Sequence, residues 1–175
     1  PVDKTQTRAK LKINPKKFQV LFGAMNIVDQ RKGFKYFKKA LQILKNQYPD
    51  LNERMELLIF GKASPELLQA LPYPVNNLGV LSGNEPMSQA YNAADLFVIP
   101  SLEDNLPNTI MESLACGTPT VAFRTGGIPD MIDHQQNGYL AQYQDANDLA
   151  KGIYWALTKA DYPQLAQNAR QKVLN

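Results

Sequence analysis

Six short apolar runs, each followed by a longer amphipathic stretch, constrain the fold of this chain more than any other feature. The runs are FQVLF (18–22), MELLIF (55–60), VNNLGVL (75–81), DLFVIP (95–100), PTVAF (119–123) and GYLA (138–141). Short buried runs that alternate with helical segments are typical of a parallel sheet with helices on both faces. Because the crossovers in such sheets are right-handed, we predict an α/β fold with a doubly wound, parallel, six-stranded sheet.

The stretches between the runs predict the helices. Phe34, Phe37, Leu41, Leu44 and Tyr48 recur at helical spacing and form one apolar face. Further helices are predicted over residues 65–71, 86–94, 108–115, 129–133, 146–159 and 164–173. The length of 175 residues fits one domain with a sizeable core, and no apolar run is long enough to span a membrane.

Ligands of doubly wound sheets bind beyond the carboxyl ends of the strands, near the N-termini of helices. The candidate loops are those that follow Phe22, Phe60, Pro100 and Phe123. The first and third of these loops contain charged residues in a pattern that indicates a ligand.

Basic residues are concentrated near the N-terminus. Residues 1–45 hold twelve of the nineteen Lys and Arg side chains but only two acids, although the net charge of the whole chain is only +3. Such asymmetry is consistent with a phosphate-rich partner or an anionic surface. It is equally consistent with a solvated helix face and a solubilising N-terminal segment.

The loop after the first strand reads LFGAMNIVDQRKGF. Gly23 follows the predicted strand, and Arg31 and Lys32 precede Gly33, which opens the long helix. The spacing matches neither a P-loop nor the G-x-G-x-x-G dinucleotide motif. Cations are unfavourable to a helix N-terminus itself but strengthen an anion site there, so the pair indicates either a bound anion or two exposed loop cations.

The segment EDNLPNTIMESLACGTP (103–119) combines helix signals with carboxylates. Pro107 fits the first helical position, and Gly117 fits a left-handed cap at the other end. Glu112 shares a helix face with Asn108, and Asp104 lies just before the helix. Phosphate binds free helix amides and carboxylates accept hydrogen bonds from hydroxyls, so the segment suits a phosphorylated sugar. Alternatively, Glu112 is a solvated helix residue and Asp104 only complements the helix dipole.

The segment from residue 84 to residue 141 strongly resembles the C-terminal, donor-binding domain of family 4 glycosyltransferases (group 1 glycosyl transferases), which have the GT-B fold. It contains ADLFVIPS, an acid and a glutamate separated by seven residues, ACGTPTV, GGIPD and NG. The resemblance extends from Val20 to about Leu157 and implies one Rossmann-like half of a GT-B enzyme. The E-x7-E signature falls on Asp104 and Glu112, and Asp130 replaces the usual glutamate of GGxxE.

The resemblance implies specific roles. Glu112 would accept hydrogen bonds from the ribose of the nucleotide, and Asp104 would contact the donor sugar. Amides around Asn108 and Thr109 would hold the distal phosphate, and Lys32 would neutralise the diphosphate leaving group. Lys32 and Asp104 are therefore the predicted catalytic residues.

The implied donor site is larger than this central group. Its predicted members are Gly23, Ala24, Arg31, Lys32, Val80, Leu81, Asp104, Asn105, Asn108, Thr109 and Glu112. The family's G-R pair falls on Gly23 and Ala24, so the arginine is missing and Arg31 is its candidate substitute. The backbone around Val80 and Leu81 would read the nucleobase.

The resemblance implies transfer of a sugar from a nucleotide diphosphate to a glycan or glycolipid acceptor, with retention of the anomeric configuration. Residues 105–109 resemble a subgroup associated with surface polysaccharide synthesis. The expected organisation is an interdomain linker over residues 1–17 and a donor-binding domain over residues 18–175, with the N-terminal acceptor domain absent from the chain. We therefore expect little or no transfer by this domain alone.

The expected partners are the nucleotide sugar and the N-terminal GT-B domain, with no nucleic acid, no metal and no other cofactor. The expected location is the cytoplasm, with association of the full-length enzyme with the inner face of the membrane. Two alternatives remain: a sugar-nucleotide epimerase or related GT-B enzyme, and a non-catalytic module that binds a membrane surface. The single cysteine, Cys116, excludes an intrachain disulfide, and His134 lies in a polar stretch typical of an exposed loop.

Overall fold

A parallel sheet forms the centre of the computed structural model, which describes residues 2–104 and 107–175. Its strands are β1 (Phe18–Asn26), β2 (Met55–Lys62), β3 (Val75–Gly79), β4 (Leu96–Ile99), β5 (Thr120–Phe123) and β6 (Gly138–Ala141). The six strands lie in the order β3-β2-β1-β4-β5-β6, and all neighbouring pairs are parallel. This order is that of a doubly wound, Rossmann-like sheet, which confirms the predicted fold class.

Helices cover both faces of the sheet. They are α1 (Lys4–Lys10), α2 (Phe34–Gln47), α3 (Pro65–Gln69), α4 (Asn84–Ala93), α5 (Asn108–Ala115), α6 (Ile128–Met131), α7 (Ala146–Tyr154) and α8 (Tyr162–Leu174). A 3-10 turn (Gln30–Lys32) precedes α2 and a second one (Pro49–Leu51) follows it. A π-helical turn (Trp155–Lys159) continues α7.

Two separate cores explain why the strand sequences are apolar without alternation. On β1, Val20 and Phe22 belong to the core beneath α2 and α7, whereas Leu21 belongs to the core beneath α4 and α5. Successive side chains of a strand point to opposite faces, so a strand covered on both faces buries every residue. Phe37 of α2 stacks on Phe22 with ring centroids 4.7 Å apart.

The strand order reverses between β1 and β4, and the loops that leave these two strands are fastened together. The backbone N–H of Leu102 donates a hydrogen bond to the carbonyl oxygen of Arg31 at 2.8 Å. Gly33 has a φ of 72°, and a Cβ at this position would lie 1.8 Å from the carbonyl oxygen of Pro100. Only glycine allows both this conformation and this approach, so Gly33 holds the start of α2 against the end of β4.

Two features of the fold differ from the sequence-based expectation. β1 continues to Asn26, so Gly23 and Ala24 lie inside the strand and not in the loop after it. Its pairing with β2 continues past Gly23 through a bulge that ends at Asn26 and Lys62. The second difference is α1, a helix in the segment predicted to be a linker.

Helix α1 is attached to the sheet by a buried arginine. Arg8 is 5% exposed, and its Nη2 lies 2.7 Å from Oδ2 of Asp95, just before β4. Its Nε donates a hydrogen bond to the carbonyl oxygen of Ala93 at 2.8 Å. Part of the basic N-terminal segment is therefore structural, since Arg8 joins α1 to the sheet. The role of residues 1–17 as a connector between domains stays a prediction.

Candidate functional site

The N-terminus of α5 opens toward the reversal point of the sheet without a side-chain cap. The helix begins at Asn108, and Pro107, predicted to be its first residue, is the N-cap with φ −68° and ψ 121°. This difference of one position arises because Pro107 keeps an extended ψ that Asn108 no longer has. Asn108 is exposed and Thr109 is half-buried, and free amides of the first turn are available to an anion.

Glu112 lies one turn into α5, on the exposed side of the helix. The hydroxyl of Tyr91, from α4, donates a hydrogen bond to Oε2 of Glu112 at 3.2 Å. Burial, together with the neighbouring negative charge of Glu112, raises the pKa of Tyr91 well above its ordinary value. Tyr91 therefore remains a hydrogen-bond donor at neutral pH and orients the Glu112 carboxylate from the neighbouring helix α4.

Asp104 and Lys32, the two predicted catalytic residues, lie side by side. Nζ of Lys32 is 3.7 Å from Oδ2 of Asp104, with the lysine side chain 36% exposed and the aspartate side chain 18% exposed. Within residues 2–104 and 107–175, that buried Oδ2 accepts no hydrogen bond. The loops after β1 and β4 thus bring a cation and a carboxylate together, and the carboxylate has unused accepting capacity.

An open cleft of about 510 Å³ lies beside this pair. Leu102, Glu103 and Asp104 line one wall, and Thr125 and Gly126 from the loop after β5 line the other. The family motif falls on Asp104 and not on Glu103, yet the exposed Glu103 borders the cleft. Thr125 and Gly126 were also not predicted as site residues, although they lie in the candidate loop after Phe123 and Gly126 is the first glycine of GGIPD.

Arg31 is paired with Asp29, the N-cap of its own 3-10 turn. Its Nη2 lies 2.9 Å from Oδ2 of Asp29, whose other oxygen accepts a hydrogen bond from the Arg31 backbone at 3.0 Å. These hydrogen bonds raise the pKa of Arg31 and lower the pKa of Asp29. Arg31 is exposed, and its positive charge is partly neutralised by Asp29.

The remaining predicted donor-binding residues occupy different settings. A Cβ at Gly23 would lie 2.3 Å from the ring of Phe60, so packing inside the sheet accounts for this glycine. Ala24 is buried in β1. Val80 is 71% exposed and Leu81 is half-buried after β3, which lies two strands away from β1. Asn105 lies outside the described residues.

Other chemically active side chains lie apart from this cleft. His134 is exposed, as its polar surroundings predict, and Nδ1 accepts a hydrogen bond from the Leu140 backbone at 3.1 Å. Burial, followed by the positive charge of Arg124, lowers the pKa of His134. Cys116 is half-buried at the end of α5. In the described part of the chain, no three His, Cys, Asp or Glu side chains are grouped to hold a metal.

None of the helices in the described ranges combines the length and apolar character needed to cross a bilayer. The sheet order, the uncapped start of α5 and the cation–carboxylate pair at the reversal point together define a doubly wound α/β domain with charged groups at its topological switch point.

The chain belongs to the glycosyl transferases of group 1, because the pattern of that family matches residues 17–159. The D-inositol 3-phosphate glycosyltransferase of Pseudarthrobacter chlorophenolicus is 29% identical over 156 residues, which are 86% of this chain and 37% of that enzyme. The chain thus spans about two fifths of the length of the curated relatives it matches.

Solved GT-B glycosyltransferases share the fold. Sucrose-phosphate synthase from Thermosynechococcus elongatus superposes with a TM-score of 0.82 at 26% identity, covering 99% of this chain and 44% of that one. Anabaena HepE, solved in complex with UDP and glucose, superposes with a TM-score of 0.76 at 22% identity, covering 99% and 47%. The chain therefore has the architecture of one half of a GT-B enzyme.

Proposed function

We propose that this chain binds the nucleotide-diphosphate sugar of a family 4, retaining glycosyltransferase. The observation that carries the proposal is the contact of Lys32 with Asp104 beside the uncapped start of α5. This arrangement places a cation, free amides and a carboxylate at the one edge of the sheet where ligands of this fold bind. The complex of HepE with UDP and glucose supports the same class of ligand.

The cation and the amides suit the diphosphate. In the proposed reaction the bond between the anomeric carbon of the sugar and the diphosphate breaks, that carbon forms a bond to an acceptor hydroxyl oxygen, and the hydroxyl proton passes to the departing diphosphate. Lys32 and the first turn of α5 stabilise the negative charge that develops on the departing oxygen, because preorganised donors need no reorganisation during the reaction. Asn108 and Thr109 supply the amides, and this stabilisation requires no metal.

The two carboxylates suit hydroxyl groups. Asp104 lines the cleft and its side chain is 18% exposed, so its carboxylate can accept a hydrogen bond from a sugar hydroxyl there. Glu112 is exposed and is oriented by Tyr91, which suits a ribose bound one helical turn away from the phosphates. Val80 and Leu81 would contact the nucleobase beyond β3.

The proposed whole enzyme has two domains. Residues 18–175 form the donor half, residues 1–17 form the connector, and an N-terminal domain binds a glycan or glycolipid acceptor for surface polysaccharide synthesis at the cytoplasmic side of the membrane. The smaller share of each relative that this chain covers supports such an organisation. We expect the donor half to bind nucleotide weakly and to transfer little sugar alone.

Titration of the chain with UDP and GDP by NMR or calorimetry tests the proposal. Saturable binding of at least one of them, with chemical-shift changes at Lys32 and the start of α5, is the expected result. No binding of either at millimolar concentration would contradict it. Incubation of the two-domain enzyme with donor sugar but no acceptor separates transfer from epimerisation, since only an epimerase converts the donor sugar itself.

A further inference from the structure

Helix α2 presents a cationic face that the donor site does not use. The helix contains no acidic residue, and its lysines are Lys35, Lys38, Lys39 and Lys45. At about 100° per residue they fall within an arc of about 120°. The apolar side chains of α2 are buried against the sheet, so this lysine face is the outer surface of the helix.

The lysines of this face are available to a partner. Lys35 and Lys39 are exposed, and Lys38 and Lys45 are half-exposed. Among the ion pairs of residues 2–104 and 107–175, none involves any of the four. Nζ of Lys35 lies 5.1 Å from the centre of the Tyr36 ring, and Nζ of Lys45 lies 5.0 Å from that of Tyr73. Uncompensated lysines on one face attract a surface of dense negative charge.

An apolar cavity adjoins the N-terminal end of the lysine face. It has a volume of about 340 Å³, and Val28, Phe34 and Leu102 form its apolar walls. Lys35, Asp29 and Gln30 also line it, and the Asp29 carboxylate is paired with Arg31. Val28 is 61% exposed although it is a β-branched apolar residue. A cationic face bordered by an exposed apolar residue is the combination that binds the interface of an anionic bilayer.

We propose that the lysine face of α2, together with Val28 and its cavity, docks this chain on an anionic lipid bilayer. The lysines lie at the level of the lipid phosphates, and Val28 enters the boundary between headgroups and acyl chains. A single-stranded nucleic acid fits less well because it needs exposed aromatic rings for stacking. Phe34 and Tyr36, which flank Lys35, pack against Phe22 and Phe123 with ring centroids 5.7 and 5.4 Å apart.

Vesicle co-sedimentation of this chain tests the proposal, with vesicles of mixed anionic and zwitterionic phospholipid compared with purely zwitterionic ones. The variant Lys35→Glu/Lys39→Glu should lose about 25-fold or more in partitioning, since each lysine near an anionic surface contributes roughly fivefold. The control Lys12→Glu/Lys16→Glu changes two exposed lysines outside α2 by the same charge. It should keep its partitioning within about threefold, because neither lysine belongs to the proposed docking face and salt screens exposed charges on other faces.

The apolar contribution has its own test. Val28→Asp should remove the binding that remains at about 1 M salt, where the Debye length is only about 3 Å. Thermal melting of each variant confirms that it is folded, and nucleotide titration is run in parallel because the membrane proposal does not rest on donor binding. A chain that binds vesicles but no nucleotide would support this proposal and contradict the proposed function.

Several results would overturn the docking surface. Equal loss in the two double variants would show an effect of net charge alone, and equal binding to zwitterionic vesicles would remove the electrostatic basis. Unchanged vesicle binding by Lys35→Glu/Lys39→Glu, or binding of single-stranded RNA without binding of vesicles, would assign the lysines a different role.

Discussion

Nζ of Lys32 lies 3.7 Å from Oδ2 of Asp104, and this contact joins the loop after β1 to the loop after β4. The two strands are neighbours in the sheet although three helices and two strands separate them along the chain. The doubly wound topology therefore brings Lys32 and Asp104 together, because each of the two loops supplies only one member of this pair.

Lys32→Met should weaken the binding of UDP or GDP by at least about tenfold. A hydrogen bond to a charged group contributes about 1.5–3 kcal/mol, and the variant removes the cation while keeping the side-chain stem. The free energy of unfolding should change little, because the side chain is partly exposed. Isothermal titration and urea unfolding measure the two effects, with Lys35→Met as the control. Equal nucleotide affinity in both variants would remove Lys32 from the phosphate site.

Glu112→Ala should abolish discrimination between UDP or GDP and the corresponding 2′-deoxynucleotide. If Glu112 accepts hydrogen bonds from the ribose, the wild-type chain prefers the ribonucleotide, and the variant binds both forms with the same reduced affinity. The matched control is Glu53→Ala, which changes an exposed glutamate just before β2, at the amino ends of the strands and away from the candidate site. NMR titrations of the three chains with both nucleotides measure the six affinities, and a Glu112→Ala variant that still prefers the ribonucleotide would contradict the ribose assignment.

Gly33→Ala should destabilise the chain far more than Gly79→Ala. Both glycines have positive φ, 72° and 70°, so both substitutions carry a backbone cost of about 1 kcal/mol. A Cβ at Gly33 also lies 1.8 Å from the Pro100 carbonyl oxygen, whereas nothing lies within 4 Å of a Cβ at Gly79. Urea unfolding should show an additional loss of more than about 2 kcal/mol for Gly33→Ala. Similar losses of stability in both variants would mean that the backbone around Gly33 and Pro100 shifts at little cost to accommodate the added Cβ.

Tyr73→Phe should flatten the loss of stability at alkaline pH. Burial, with a smaller contribution from the charge of Asp50, raises the pKa of Tyr73 to about 12. The unfolded chain releases this proton near pH 10, whereas the folded chain keeps it to about pH 12. Ionisation of Tyr73 therefore leaves the free energy of unfolding unchanged below about pH 10 and lowers it as the pH rises toward 12.

At neutral pH the same variant should be neutral or slightly stabilising, because the buried Tyr73 hydroxyl has no hydrogen-bond partner among the described residues. Unfolding by urea at pH 7 and between pH 10 and 12 distinguishes these effects. The prediction fails if the wild-type chain and the variant lose stability in parallel over the alkaline range.

Much of the fold follows from local patterns. The apolar runs identify all six strands because the sheet is covered on both faces, and α5 (Asn108–Ala115) lies between Pro107 and Gly117, the two residues that mark its ends. Asp104, Lys32 and Glu112 were identified through a resemblance, and the short separation of Lys32 and Asp104 follows from the sheet order. Their assigned roles stay predictions until nucleotide binding is measured.

Other features depend on tertiary contacts that no local pattern contains. β1 continues through Gly23 and Ala24, which are weak strand formers, because β2 offers hydrogen bonds beyond Phe60. Helix α1 has a polar sequence, and it is held through the contact of Arg8 with Asp95, a residue far along the chain. The pairing of Arg31 with Asp29 is local, but the sequence does not show which partner an exposed arginine selects.

The backbone hydrogen bond between Leu102 and Arg31 has a practical consequence for engineering. Apart from the Lys32–Asp104 pair, the atoms that hold the two loops together belong to the main chain and to a glycine, so the other side chains around the cleft can be exchanged without moving the backbone that presents them. Grafting one loop from a relative without the other, by contrast, would disturb the main-chain contacts between the two loops. A chimera designed to accept a different donor should therefore transplant residues 26–33 and residues 100–108 together.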